Sequence, residues 1–291
     1  MKRTMKYLIM IVLGCLLIAS CIINFSGGSI VVGYCTEDGI DYTEVREVGQ
    51  FNAISSHLPC TIYFSQADKQ EVRVETTEEL APKVQTIVED GTLKLKMAEG
   101  HYPKLILRIV ISVPNIESIT IHGSGDLRHE GTLRVSNGLS VKVLGSGDIR
   151  MGDIVCKTFE AHTSGSGSLG FASIDCADFT GSVKGSGNLR SDSVHCDGFG
   201  VSTSGSGDID IESVAASGSA SVKVSGSGDI TLRKVAVDGD MDLKTSGSGD
   251  ITVNGSCRDV TASTSGSGDI SGDLSHASMR VKSSGSGEIN L

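Results

Sequence analysis

Seven carboxylates recur at one place in a repeating unit. Asp126, Asp148, Asp208, Asp229, Asp250, Asp269 and Glu288 each lie three residues after the first glycine of a Gly-Ser-Gly triplet, and Ser168 and Asn188 hold that place in two further copies. Three kinds of chemistry fit such spacing. Stacked in register ~5 Å apart, neighbouring carboxylates repel by roughly 1 kcal/mol in water, and a calcium ion bound by clustered oxygens would relieve that repulsion. Paired carboxylates in a cleft can hydrolyse a glycosidic bond. Alternatively, each Asp accepts a backbone N–H beside its turn, which Asn188 and Ser168 would do equally well. The turn reading is preferred. Nonapeptide calcium repeats use a nine-residue period that this sequence does not show. No metal site and no cofactor are expected.

A second set of reactive groups shares another phase. Cys156, Cys176 and Cys196 each follow their triplet by eleven residues, where later copies carry Ala216 and Val237. That company marks an inward column of small apolar groups holding buried thiols. A disulfide between adjacent copies is the alternative in an oxidising compartment, although three thiols cannot all pair. Zinc fits poorly, because no Cys-x-x-Cys occurs and one column does not surround a metal tetrahedrally. Cys35 and Cys60 could also pair. No Gly-x-Ser-x-Gly elbow, His-Glu-x-x-His or P-loop is present. Gly165-Ser166-Gly167-Ser168-Leu169-Gly170 matches the dinucleotide fingerprint, yet its sister copies lack the final glycine and no helical pattern follows. His162 and His195 fall at unrelated phases, and catalysis is not expected of them.

The element that must position these groups is the repeat itself. Triplets begin at Gly123, Gly145, Gly165, Gly185, Gly205, Gly226, Gly247, Gly266 and Gly285, at intervals of 22, 20, 20, 20, 21, 21, 19 and 19 residues. Four residues after each first glycine stands a branched aliphatic, from Leu127 to Ile289. Positions six, four and two before it are mostly apolar or Thr, with polar residues between, as in Phe159, Ala161 and Thr163. A period of two marks a strand with one buried face. The glycines share the buried parity, so a side chain there would point into the core at a corner. A second apolar pair follows at nine and eleven, as in Ile174 and Cys176.

Each ~20-residue unit therefore supplies two or three short strands and one corner, too little to bury its own apolar face. Parallel, in-register stacking solves this. The expected fold is all-β, a parallel β-helix or β-solenoid with ~4.8 Å between rungs and a rod on the order of 40 Å long. A propeller blade needs twice the period, and a leucine-rich repeat needs a Leu/Asn pattern that is missing.

The front of the chain divides at residues 20, 43 and 121. Residues 1–20 read as a signal peptide: Lys2, Arg3 and Lys6, then an apolar run from Tyr7 to Ser20. Ile18-Ala19-Ser20-Cys21 resembles the lipobox of bacterial lipoproteins, which places a lipid on Cys21. Val12-Leu13-Gly14-Cys15 is a weaker version. An uncleaved anchor over Tyr7 to Phe25, close to the ~20 residues that span a bilayer, and an ordinary cleaved signal are the alternatives. All of them export the protein. Residues 21–43 form the lipidated start and tether. Residues 44–121 form a strand-rich cap with a short helix within Glu78 to Val88 and a strand from Leu105 to Val113. Residues 122–291 form the solenoid. Net charge is −10, and −13 once Lys2, Arg3 and Lys6 are removed with no acidic residue. That balance excludes nucleic acid as a partner, which requires a basic face.

Three segments carry a family resemblance: Val48-Gly49-Gln50-Phe51-Asn52-Ala53-Ile54, Asp90-Gly91-Thr92-Leu93, and Val113-Pro114-Asn115-Ile116 leading into Gly123-Ser124-Gly125-Asp126. Over about residues 44–291 the sequence resembles the auto-transporter adhesin head GIN domain family. The resemblance implies exported proteins, often lipoproteins, with a right-handed β-helix-like fold, and brings no catalytic residues. The expectation is a non-enzymatic, lipid-anchored module of the cell envelope, held at the outer membrane, that offers a repetitive polar face to a glycan or a surface protein. Whether it faces outward or into the periplasm stays open. Two alternatives stay open as well. One is a structural protein that forms homo-oligomers through the strand edge at Gly285 to Leu291; the other is a polysaccharide-processing enzyme that uses the acidic ladder.

Overall fold

The computed structural model describes residues 21–25 and 28–291, with side chains from residue 30 onward. The expected signal peptide, with Cys15, lies outside the described residues, and so does the Cys21 side chain. Branched aliphatic residues alternating with polar ones produce strands throughout; among the described residues the only helical element is a 3-10 turn. A 14-stranded and a 12-stranded sheet enclose one continuous apolar core.

Each repeat contributes one strand to each sheet, for example Thr158–Gly165 to the second and Leu169–Asp175 to the first. Successive copies pair in parallel and in register. Phe159 stands opposite Leu139 and Phe179, and Leu169 opposite Ile149 and Leu189. This is the all-β parallel solenoid that the period implied. Phe159, Phe179 and Phe199 form a column in the core with ring centroids 6.0 and 5.6 Å apart, and Phe171 meets Phe159 edge-on at 5.0 Å. Each buried Phe contributes roughly 1.5–3 kcal/mol relative to exposure.

Strands of the first sheet bend seven residues after the triplet. Leu169 and Phe171 point inward before the bend, Ile174 and Cys176 after it. The switch of parity explains why the sequence reads as either two or three strands per unit. Differences in repeat length are absorbed partly at this bend and partly at the corner into the second sheet. There the extra residue of a 21-residue copy enters, so that Cys196 stands opposite Ala216 but Phe199 opposite Ala220. In the 22-residue copy the register shifts between His129 and Thr132, where Gly131 takes φ +81°. In a 19-residue copy one residue is lost, and Gly255 takes φ +144° beside the shift. Side chains rarely adopt either value.

Residues 44–121 continue both sheets. Thr61–Gln66 and Arg108–Val113 extend the first, and Ala53–Ser56 and Ser118–Ile121 extend the second. Antiparallel partners then close the end, with Glu71–Thr76 against Arg108–Val113 and Val84–Glu89 against Thr92–Met97. The helix expected within Glu78 to Val88 does not form. Only Ala81–Lys83 turns, around Pro82, and Val84–Glu89 is a strand. The hairpin after it is set by Asp90 (φ +50°) and Gly91 (φ +71°), the left-handed pair a two-residue turn requires. The strand expected from Leu105 to Val113 is two. Gly100–Ile106 pairs with Gly28–Thr36 in a separate three-stranded sheet, and Leu107 is buried at the break.

Candidate functional site

The carboxylates three residues past each triplet do line up along the rod, and the structure fixes what they do. Asp126 Oδ1 accepts the Asp148 N–H at 3.0 Å, and Asp148 Oδ1 accepts the Ser168 N–H at 2.9 Å. Asn188 Oδ1 accepts from Asp208, Asp208 from Asp229, and Asp229 from Asp250, at 2.8 to 2.9 Å. Asp250 accepts from Asp269, and Asp269 from Glu288, at 2.7 and 2.8 Å. The ladder is thus a series of side-chain-to-backbone bonds between successive rungs, with Asn188 substituting for Asp. It is interrupted at Ser168, whose shorter side chain, contrary to expectation, accepts no bond from the Asn188 amide. Among the described residues no group of three or more His, Cys, Asp or Glu is placed to hold a metal ion.

The glycines of the triplet have a different cause from the one the parity implied. A Cβ on Gly167 would stand 2.0 Å from the Gly147 carbonyl oxygen, and one on Gly207 1.8 Å from the Gly187 oxygen. The obstacle is the backbone of the preceding rung, not the core alone. Beneath each corner, buried Thr163, Thr203 and Thr245 donate their hydroxyls to the carbonyls of Gly167, Gly207 and Gly249 at 2.7, 2.7 and 2.9 Å. This bond explains why Thr stands among Val in the position two before the triplet.

The thiol column is inward as expected: Cys176 and Cys196 are buried, Cys156 half-buried, and all are free. Burial is the main cause that pushes the Cys156 thiol up to about 11 and Cys196 to about 12, with neighbouring carboxylates adding to it. Cys176 is pushed up further, by burial and then by its two neighbours in the column. Cys35 and Cys60 are also free thiols, and burial raises both. None of these groups is a thiolate nucleophile at neutral pH. The Gly165–Gly170 fingerprint links two strands, with no helix after it. His162 sits on the outer face beside Glu160 at 3.7 Å. Two histidines the repeat did not single out stack at the first corner: His57 and His122, with centroids 4.2 Å apart and planes 12° apart. Burial, then the charge of His122, lowers His57 to about 4, and burial lowers His122.

One surface feature escaped the sequence reading. On the outer face of the first sheet a groove of about 580 Å³ is lined by Arg150, Arg190, Asp192, Gly170 and Ala172, among others. Its signal is present in the column five residues past the triplet, where Gly170 interrupts arginines.

Solved structures share this fold. One from Parabacteroides distasonis ATCC 8503, described as a "putative lipid binding protein", is 20% identical with a TM-score of 0.65, covering 89% of this chain and 99% of its own. A "putative adhesin" from Parabacteroides merdae ATCC 43184 is 16% identical with a TM-score of 0.62, covering 89% and 98%. A second from P. distasonis, also described as a "putative adhesin", is 15% identical with a TM-score of 0.61, covering 89% and 99%. No curated protein sequence matches the chain. Residues 50–231 and 199–291 match the family described as "Putative auto-transporter adhesin, head GIN domain", and the chain belongs to that family.

Proposed function

We propose that the chain is lipidated at Cys21 and stands on the outer face of the cell envelope as a rod that binds a glycan or protein partner without catalysis. The observation that carries this reading is the in-register stack. It sets outward polar side chains in line from rung to rung, as in the row Lys142, His162, Ser182, Ser202, Lys223, Lys244 of the second sheet. Such rows suit a partner that is itself repetitive. Each ladder Asp accepts a backbone amide, and burial raises the thiols of the cysteine column, so neither set is poised as a hydrolytic acid and base. The adhesin descriptions of the family and of the Parabacteroides structures point the same way.

Full-length protein in detergent, applied to arrays of glycans and matrix proteins, tests this reading. Saturable binding supports it, together with reduced adherence of cells lacking the chain. Binding to nothing on either array, with unchanged adherence, overturns it. A second reading has one observation of its own. Val281, on the outermost strand of the second sheet (Ser278–Ser283), is 54% exposed. Stacking of a second copy there would cover it. Light scattering that shows mass rising with concentration, and Val281→Lys abolishing the rise, would favour assembly over ligand binding.

A further inference from the structure

Successive strands of the first sheet place Arg128, Arg150, Gly170, Arg190 and Asp210 side by side in one outward row. On a chain of net charge −10, three guanidiniums thus gather along one row, with carboxylates on the positions beside them. The row has one gap, at Gly170. Unlike the triplet glycines, this one has no steric cause: a Cβ would meet nothing nearer than Arg150 Cγ at 3.9 Å, and the backbone is not left-handed. Glycine inside a strand weakens it and often marks a place where something approaches the backbone closely. Two residues on, Ala172 keeps the surface low, between Gly152 on the preceding rung and Asp192 on the following one.

The result is the groove of about 580 Å³, with Gly170 and Ala172 as floor and Arg150 and Arg190 as walls. The wall residues stand two rungs apart, ~10 Å at the backbone, wide enough for a pyranose ring. Arg150 Nη2 holds Asp148 Oδ2 at 2.8 Å, and Arg233 pairs with Asp210 and Glu212. Arg190 and Asp192 line the same groove with no ion-pair partner among the described residues. An unpaired guanidinium offers a two-pronged donor that matches a carboxylate. An unpaired carboxylate accepts the protons of hydroxyl groups. A polyphosphate or heavily sulfated chain is disfavoured, because Asp148, Asp192, Asp210 and Glu212 also border the groove. A ring with one carboxylate and several hydroxyls satisfies both signs.

We propose that the Gly170 groove binds a uronic-acid residue of an acidic oligosaccharide, with the carboxylate on Arg190 and Arg150, a hydroxyl on Asp192 and the ring over Gly170. This rests on the reading of the chain as a binding rod and names its ligand class. The test is calorimetric titration of the full-length protein in detergent with tetragalacturonate and a hyaluronan tetrasaccharide, beside cellotetraose as the neutral comparison. At least one uronate probe is expected to bind at least tenfold more tightly than cellotetraose. Arg190→Gln and Gly170→Gln should each weaken that binding at least tenfold. Gly200→Gln is the control. It lies on the other sheet, its added Cβ meets nothing nearer than the Phe179 carbonyl oxygen at 3.7 Å, and binding should be unchanged. Thermal melts check that all three variants fold. Two results would overturn the groove assignment and leave the rod reading intact: uronate binding indifferent to Arg190→Gln and Gly170→Gln, or neither uronate binding while another glycan or protein does. Binding to nothing at all would remove both.

Discussion

Replacing Gly207 by Ala should destabilise the solenoid by about 3 kcal/mol or more, while the same change at Gly170 should cost nothing measurable. The difference follows from what each new methyl would meet. On Gly207 it would lie 1.8 Å from the Gly187 carbonyl oxygen and 2.8 Å from Val183 Cγ1, so the two rungs must separate by more than 1 Å. That movement strains the bonds from the Ser206 and Gly207 amides to the Gly185 oxygen, now 2.8 and 3.0 Å. Each such bond is worth about 1 kcal/mol net, and overpacking alone costs ~1–3 kcal/mol. At Gly170 the methyl would stand 3.9 Å from its nearest neighbour, and removing a strand glycine returns about 0.5–1 kcal/mol of backbone entropy. Thermal melts give the global effect, a fall of roughly 6 °C or more for Gly207→Ala at ~2–4 °C per kcal/mol. Repeat arrays also open locally, so amide hydrogen exchange at Asp208 and Ile209 gives the local effect, a marked loss of protection. A Gly207→Ala variant that melts within 2 °C of the parent with unchanged exchange would refute the close approach as the reason for the triplet. A Gly170→Ala variant that melts lower would refute its steric freedom.

Asp229→Ala should cost about 1 kcal/mol by stranding the Asp250 amide, whereas Asp229→Asn should be within a few tenths, since Asn188 already makes the same bond to Asp208. Calcium at millimolar concentration should leave the melting temperature unchanged, and a clear rise would restore the cation reading of the ladder. Stability should be flat above pH 7 and fall between about 6.5 and 4. In that window the unfolded chain takes up protons that folded His57, lowered to about 4, and His122 exclude. His122→Asn should flatten part of the fall in a pH series of melts, and an identical profile would contradict this. Iodoacetamide at pH 8 should leave Cys156, Cys176 and Cys196 unlabelled in the native protein and label them in urea. Rapid native labelling, read by mass spectrometry, would mean thiolates that burial does not allow.

The solenoid was legible because its evidence is periodic. One atypical residue, such as Ala220 where three other copies carry Phe, does not disturb a register set by nine triplets. The front segment lacked that redundancy. Glu78 to Val88 has a composition tolerant of helix, and only its antiparallel partner at Thr92–Met97 decides for a strand. The acidic column and its preference for backbone amides were legible, but not that each amide belongs to the next rung, because that depends on distances of 2.7–3.0 Å between rungs. The reason for the triplet glycines was hidden likewise: parity shows which way a side chain points, not that the rung beside it is too close. Gly170 was the opposite case. It looked like one more glycine of a glycine-rich chain, and only the open space around it sets it apart.

The most direct test of the proposed exposed rod is protease shaving of intact cells beside lysed ones, with detection of the Gly-Ser-Gly array and a periplasmic marker as the seal control. The account predicts loss of the array from intact cells while the marker survives. Protection of the array until lysis would contradict surface display and turn the search to partners inside the envelope.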